Sequence, residues 1–159
     1  MISRFVRALL FTCAVIVVAR LPAPAAQHPV LATIAAFAAT SNAGDRRAFL
    51  RLFAPEAAMV DNFAPYRFAA PNGPATWYDG FGADMQKSGV TDGSISVAAP
   101  KFFRVTGDRA WAVVPTRFVY KLKAKPELET GLSVFTLHRV GGSWKITSFS
   151  WAEQSDTGA

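Results

Sequence analysis

The chain has 159 residues, of which 51% are hydrophobic and 13% aromatic, and its formal net charge at pH 7 is +6. This composition excludes a disordered chain and is sufficient for one domain with a genuine core. The Lys and Arg residues are scattered singly, without the basic cluster and interleaved aromatics of a nucleic-acid site. No nucleic-acid partner is therefore expected.

The first 25 residues have the order of a secretory signal peptide. Arg4 and Arg7 precede an apolar run over residues 8–19, and an Ala-Pro-Ala sequence follows as a cleavage site. The run is shorter than the about 20 residues that a membrane-spanning helix needs, so cleavage without a stable membrane anchor is favoured over retention. We therefore expect a signal peptide over residues 1–25 and a domain over 26–159 that is periplasmic or secreted.

The composition of the mature domain argues against disulfides and metals. The single cysteine, Cys13, lies inside the apolar run of the signal peptide. The two histidines, His28 and His138, are far apart, so the chain offers no zinc-type spacing. No glycine-rich phosphate loop or nucleophile elbow is present either. We expect neither a metal nor a cofactor.

Three helices and two short strands are predicted in the first half of the mature domain. Residues 29–42 and 46–53 form the first two helices, and Phe37 lies on the buried face of the first. Two short strands are predicted over 57–63 and 66–70. A third helix is predicted over residues 74–88, with three large apolar side chains four residues apart and a glycine immediately after it. Those side chains are Trp77, Phe81 and Met85.

The second half of the domain alternates between apolar and polar residues with a period of two. This pattern predicts long antiparallel strands, and Pro115 demands a bulge or a local edge in the second of them. The tail, residues 155–159, is expected to fray. The predicted strands cover residues 94–105, 109–123, 129–140 and 143–151. One face of the second strand carries Ala110, Ala112, Val114, Thr116, Phe118, Tyr120 and Leu122.

The order of these elements predicts an α+β fold. Such a long antiparallel sheet has one apolar face to cover, and three helices precede it in the chain. A curved antiparallel sheet covered by three N-terminal helices forms a cone with an apolar mouth. The expected architecture is therefore a cone-shaped sheet with a cavity between sheet and helices.

Four short motifs occur at turns and core positions along this order. They are Ala-Gly-Asp at 43–45, Leu-Phe-Ala-Pro-Glu-Ala at 52–57, Val-Thr-Gly-Asp-Arg-Ala at 105–110 and Gly-Ser-Trp-Lys-Ile at 142–146. In these residues the chain resembles the nuclear-transport-factor-2-like superfamily, in particular its SnoaL-like members, from about Leu31 to Trp151. The resemblance implies the cone-shaped fold, but it implies no single activity, because this fold hosts many roles.

The steroid isomerases of this superfamily carry catalytic residues that the chain does not match. Their tyrosine on the first helix corresponds to Phe37, and their aspartate base corresponds to Asn62, with Asp61 before it. Their second acid would fall near residues 135–137, where this chain has no acid. Steroid isomerase chemistry in its familiar form is therefore not expected, and whether the protein is an enzyme stays open.

Asp61 and His138 are the candidate catalytic residues. A carboxylate at the end of the 57–63 strand either faces the cavity as a general base or faces water as a strand-end residue. A register slip of one residue would exchange Asp61 for Asn62 as the inward group. His138 either forms an acid–base couple with Asp61 or is a structural histidine near a strand end.

Aromatic residues are numerous enough to line a pocket or to build a core without disulfides. The expected pocket residues are Phe37, Asn62, Trp77, Phe81, Phe118 and Tyr120. Trp111 and Trp151 are expected on the opposite face of the sheet, where the resemblance implies a homodimer.

Three functions remain open from the sequence. The first is a non-catalytic domain that binds a small apolar molecule. The second is an acid–base enzyme of the isomerase, dehydratase or cyclase type that uses Asp61 with His138. The third is a dimeric interaction scaffold whose pocket is filled by its own aromatic side chains.

Overall fold

The computed structural model describes residues 28–158, so the predicted signal peptide lies outside the described residues. Three helices and seven strands follow one another along the chain. They are α1 (Pro29–Asn42), α2 (Arg46–Leu50), β1 (Phe53–Val60), β2 (Arg67–Phe68), α3 (Gly73–Ser88), β3 (Val90–Val97), β4 (Phe102–Thr106), β5 (Arg109–Leu122), β6 (Lys125–Val140) and β7 (Ser143–Gly158).

The strands form one curved, unclosed sheet in the order β2-β1-β7-β6-β5-β3, and β4 also pairs with β5. All pairs are antiparallel except β1 with β7, which is parallel. The predicted α+β fold is confirmed, and its sheet is mixed because of this one parallel pair. Helix α1 packs against β3 and β7, and α3 packs against β1, β2 and β3, so the helices cover one face of the sheet.

Helices α1 and α3 follow the prediction closely. Helix α1 has a proline in its first turn, and its cap residue His28 accepts a hydrogen bond from the backbone N–H of Val30 at 3.2 Å. Helix α3 ends at Gly89, whose φ of 75° lies in the left-handed region that favours glycine. Among the residues that the structure describes, no helix is long and apolar enough to cross a bilayer.

Helix α2 is shorter than predicted, because Phe53 belongs to a strand. Phe53 pairs with Ile146 of β7, and the backbone N–H of Ile146 donates to the carbonyl oxygen of Leu52 at 2.8 Å. These bonds hold the chain extended from Phe53 onward. The strand that the sequence predicts over residues 57–63 therefore begins at Phe53 and ends at Val60.

The predicted strand over residues 94–105 is two strands, β3 and β4, which both pair with β5. At the break the backbone N–H of Ala98 donates to the carbonyl oxygen of Pro115 at 2.9 Å, and that of Lys101 donates to Val113 at 2.8 Å. Pro115 itself pairs with Leu132 of β6 without a shift of register. The irregularity that Pro115 demands thus lies in the neighbouring strands, and β5 keeps its predicted inner face buried.

Strands β6 and β7 are longer than predicted. Leu122 of β5 pairs with Lys125, so β6 starts four residues before the predicted position 129. The backbone of β7 stays paired with β6 as far as Gly158, opposite Glu127, so the tail is not frayed over that length. Together these extensions make β6–β7 the longest hairpin of the described chain.

Trp151 lies on the inner face of the sheet and not on the outer face with Trp111. A bulge between Ile146 and Ser148 inserts one extra residue into β7. Because side chains alternate along a strand, one extra residue moves the side chains that follow it, as far as the next shift of register, to the other face. Trp151 therefore packs against the core with Phe149, whereas Trp111 on β5 is 41% exposed.

Candidate functional site

A partly enclosed cavity of about 320 Å³ lies between α3 and the inner face of the sheet. Its walls come from α1, α3, the residues that follow β1, and strands β3, β5, β6 and β7. The structure places all six predicted pocket residues on these walls, so the cavity is not filled by its own aromatic side chains. They are Phe37, Asn62, Trp77, Phe81, Phe118 and Tyr120.

Asp61 follows directly after β1 and is 8% exposed, on the wall of this cavity. One carboxylate oxygen, Oδ2, accepts the indole N–H of Trp77 at 2.7 Å, and the other, Oδ1, accepts the backbone N–H of Asn62 at 2.8 Å. The backbone N–H of Asp61 donates to the carbonyl oxygen of Tyr66 at 3.1 Å. These three hydrogen bonds fix Asp61 as the inward group, which the sequence alone leaves undecided.

Burial raises the pKa of Asp61, and the hydrogen bonds from Trp77 and from the backbone N–H of Asn62 oppose that rise. Burial acts on the charged form, because a carboxylate loses hydration when it leaves water. Each carboxylate oxygen has a lone pair beyond the one that already accepts a bond. Asp61 can therefore accept a further hydrogen bond, or a proton, from a molecule in the cavity.

Asn62 is exposed and lies at the rim of the cavity. Its side-chain amide donates to Oε2 of Glu153 at 2.8 Å, which ties the segment after β1 to β7. The amide therefore has a structural partner, in addition to its place on the wall.

Two further polar pairs lie in the cavity wall on β5 and β6. The hydroxyl groups of Thr116 and Ser133 are 2.9 Å apart, and both residues are buried. The phenol of Tyr120 donates to Oε1 of Glu129 at 2.9 Å. Of these four residues, the sequence prediction named only Tyr120 as a pocket residue. The period-two pattern could have found the others, since Thr116 shares the predicted inner face, and Glu129 and Ser133 occupy alternate positions of β6.

His138 does not reach the cavity. Phe135 and Leu137 alternate inward along β6, so His138 faces outward. Its Nε2 lies 2.8 Å from Oδ2 of Asp108, and this hydrogen bond holds the pKa of Asp108 below its ordinary value. The expected couple of Asp61 with His138 is therefore wrong, because alternation along the strand separates the two residues.

The described residues provide no evident metal site. Within the part of the chain that the structure covers, no group of three or more His, Cys, Asp or Glu side chains is placed to hold a metal ion.

Comparisons with known proteins identify the fold. No family model matches the sequence, and no curated protein matches it. Among solved structures, the NTF2-like superfamily protein from Salmonella enterica serovar Typhimurium has a TM-score of 0.65 at 16% identity, covering 81% of this chain and 91% of that one. An NTF2-like protein with a cystatin-like fold from Novosphingobium aromaticivorans has a TM-score of 0.66 at 16% identity, with 80% of each chain covered.

The structure is also similar to that of an enzyme. The hexachlorocyclohexane dehydrochlorinase LinA-type3 from Novosphingobium barchaimii has a TM-score of 0.69 at 10% identity, covering 82% of this chain and 88% of that one. At such identities the likeness concerns the fold alone, and the same fold carries proteins of different activities.

Proposed function

This chain has the nuclear-transport-factor-2-like fold, and from that premise we propose that its cavity binds a small, mainly apolar molecule and orients it through Asp61. The observation that carries the proposal is a buried carboxylate, held by two donors, on the wall of a largely aromatic cavity. Ligand sites are typically apolar cavities of about 300–1,000 Å³ with a few well-placed polar groups. The cavity, at about 320 Å³, falls at the lower end of that range.

Benzyl alcohol is a suitable first probe, because it combines an apolar ring with a hydroxyl that can donate to Asp61. We expect saturable shifts of the Trp77 indole N–H resonance in NMR titrations, since that N–H lies 2.7 Å from the carboxylate. The substitution Asp61→Asn should weaken binding by about ten- to a hundredfold, because a hydrogen bond to a charged group contributes about 1.5–3 kcal/mol.

Two controls show whether the probe binds in the cavity and through Asp61. The indole of Trp111, on the outer face, should not respond, and Asp79→Asn, an exposed carboxylate outside the cavity, should bind benzyl alcohol like the parent protein. Equal responses of Trp77 and Trp111, or unchanged affinity in Asp61→Asn, would contradict the proposal.

A second candidate is an acid–base enzyme of the isomerase, dehydratase or cyclase type, with Asp61 as the base and without His138. It is favoured by the burial that raises the pKa of Asp61, since a base works best when its pKa approaches the working pH. The name of the dehydrochlorinase of similar fold also indicates an elimination reaction. Deuterium exchange into 2-tetralone in D₂O would test this role, and equal rates with the parent protein and Asp61→Asn would exclude it.

We also propose a homodimer through the outer sheet face. Phe102 is 60% exposed and Trp111 is 41% exposed on neighbouring strands, and their ring centroids are 6.2 Å apart. Exposed apolar patches of this kind are typical of interfaces. Sedimentation velocity of the parent protein and of Trp111→Arg would test the dimer, and a parent protein that sediments as a monomer would exclude it.

Export to the periplasm or secretion remains our proposal for the location. It rests on the order of charged, apolar and small residues in the first 25 positions. The intact mass of the purified protein would show whether the chain starts near residue 26, and a mass that retains the first 25 residues would contradict the proposal.

A further inference from the structure

The cavity wall carries three carboxylates from three different elements. Asp61 follows β1, Asp84 lies on α3, and Glu129 lies on β6. The described residues of the wall include no Lys, Arg or His, although the whole chain has a formal net charge of +6. The wall therefore has the opposite sign of charge to the protein as a whole.

Eight aromatic side chains form half of the remaining sixteen lining residues. The face of an aromatic ring carries partial negative charge and attracts a cation within about 6 Å of its centroid. Two stacked ring pairs stand out, with Trp77 on Phe81 at 5.1 Å and Phe118 on Tyr120 at 4.9 Å. The eight residues are Phe37, Phe63, Trp77, Phe81, Phe118, Tyr120, Phe149 and Trp151.

The carboxylates and the rings are linked by hydrogen bonds. Trp77 donates its indole N–H to Asp61 at 2.7 Å, and Tyr120 donates its phenol O–H to Glu129 at 2.9 Å. A donor bonded to an anion releases electron density into its ring, so these bonds make the ring faces more attractive to a cation. The polar hydrogens are thereby occupied by the carboxylates. The Trp77 ring is 2% exposed and already stacks on Phe49 at 5.6 Å and on Phe81 at 5.1 Å, so Trp77 acts on a ligand mainly through Asp61.

From this arrangement we propose that the cavity selects a ligand with a positive charge, namely a substituted amine or quaternary ammonium group on an apolar body. The inference rests on the proposed binding function and specifies its ligand class. Asp61 is buried with two hydrogen-bond donors and no ion pair among the described residues. A buried charge is costly unless it is paired, and a cationic ligand would supply the missing counter-charge. An anionic ligand would be repelled by both the carboxylates and the ring faces.

Three probes of similar size and different charge test this selectivity. Phenyltrimethylammonium is a cation, tert-butylbenzene is its neutral isostere, and benzenesulfonate is an anion. We expect phenyltrimethylammonium to bind at least about tenfold more tightly than tert-butylbenzene, given typical cation–aromatic attraction in a desolvated site. Benzenesulfonate should show no saturable binding. Dissociation constants would come from shifts of the Trp77 indole resonance.

Substitutions in the cavity wall test whether its carboxylates cause the selectivity. Asp61→Asn combined with Glu129→Gln should reduce the preference for the cation over its neutral isostere, mainly by weakening the binding of the cation, because the carboxylates are lost and the aromatic rings remain. Asp79→Asn is the matched control, because it removes a carboxylate outside the cavity, and it should keep the preference.

The outcomes separate the two proposals. Equal affinities for the cation and the neutral isostere, or tighter binding of benzenesulfonate, would overturn the charge selectivity and leave the binding function standing. Failure of all three probes, together with benzyl alcohol, would overturn the binding function itself. A preference that is undiminished by the double substitution would show that these carboxylates do not contribute to it and would also overturn the inference.

Discussion

Phe37→Ala should destabilise the domain by about 3–5 kcal/mol. Phe37 is 2% exposed, and its ring lies within the aromatic core. Removing a buried ring forfeits its burial and leaves a cavity that the neighbours fill only in part. The ring centroids of five aromatic side chains lie 4.9–6.3 Å from its own: Phe49, Phe53, Trp77, Phe135 and Phe149.

Urea unfolding of the parent protein and the variant would measure this difference in the free energy of unfolding. Because a domain of this kind is typically stable by about 5–15 kcal/mol, the variant should remain folded but lose much of its margin. Tyr66→Ala is the matched control, since Tyr66 is 62% exposed, and it should change the stability by less than about 0.5 kcal/mol. Similar losses of unfolding free energy for the two truncations would show that the packing of Phe37 contributes little to the stability of the core.

The sequence predicted the regular parts of the fold well, because regular parts follow local rules. Helix α1 has the predicted bounds, and the inner face of β5 is buried at the alternate positions that the pattern indicates. Both predictions depend only on periodicity and, for α1, on a terminal residue, Pro29. Neither needs knowledge of the neighbouring element.

The prediction failed where one strand adjusts to another. The bulge after Ile146 reverses the faces of β7, and the break between β3 and β4 accommodates Pro115 of the next strand. The break carries a mark in its own segment, since Pro100 lies within it and a proline cannot donate to a strand ladder. The bulge carries none, because hydrogen bonds to the partner strand determine it. The placement of Trp151 on the outer face was wrong for this reason.

The sequence could predict which residues line the candidate site, but not which residues form hydrogen bonds with one another there. Its aromatic residues follow from the apolar positions of α1, α3 and β5. The choice between Asp61 and Asn62 depends on the indole of Trp77, sixteen residues further along the chain, which binds the carboxylate. Periodicity on one strand cannot identify such a partner, and it equally could not show that His138 pairs with Asp108.

Trp77→Phe should be less stable than the parent protein, mainly because Asp61 loses a hydrogen-bond donor. This loss of stability should grow with pH. The indole N–H supports the charged carboxylate at 2.7 Å, and phenylalanine keeps an aromatic ring without that donor. The lost hydrogen bond to a charged group should cost about 1.5–3 kcal/mol near neutral pH. At lower pH the cost should be smaller, because burial raises the pKa of Asp61 and a larger fraction of the carboxyl is then protonated in the folded protein.

The sign of this pH dependence follows from the raised pKa of Asp61 in the folded state. A raised carboxyl pKa favours the folded state below the unfolded value of about 3.9, and that stability is lost as the pH rises through the folded pKa. Trp77→Phe removes a hydrogen bond that lowers the pKa of Asp61 in the folded protein, so this pKa rises further. The loss of stability with increasing pH therefore extends to higher pH in the variant. Asp61→Asn should abolish this part of the pH dependence.

Urea unfolding between pH 4 and pH 8 would measure the effect as the difference between each variant and the parent protein. Contributions from Asp79 and Asp108, whose pKa values are lowered by their hydrogen-bond partners, are shared by all the proteins and cancel in that difference. Trp144→Phe is the matched control, because Trp144 packs against the core outside the cavity wall, and its cost should not vary with pH. If the cost of Trp77→Phe were also independent of pH, the indole would stabilise the protein through packing alone. That result would contradict the role of Asp61 as the charged group on which ligand binding depends.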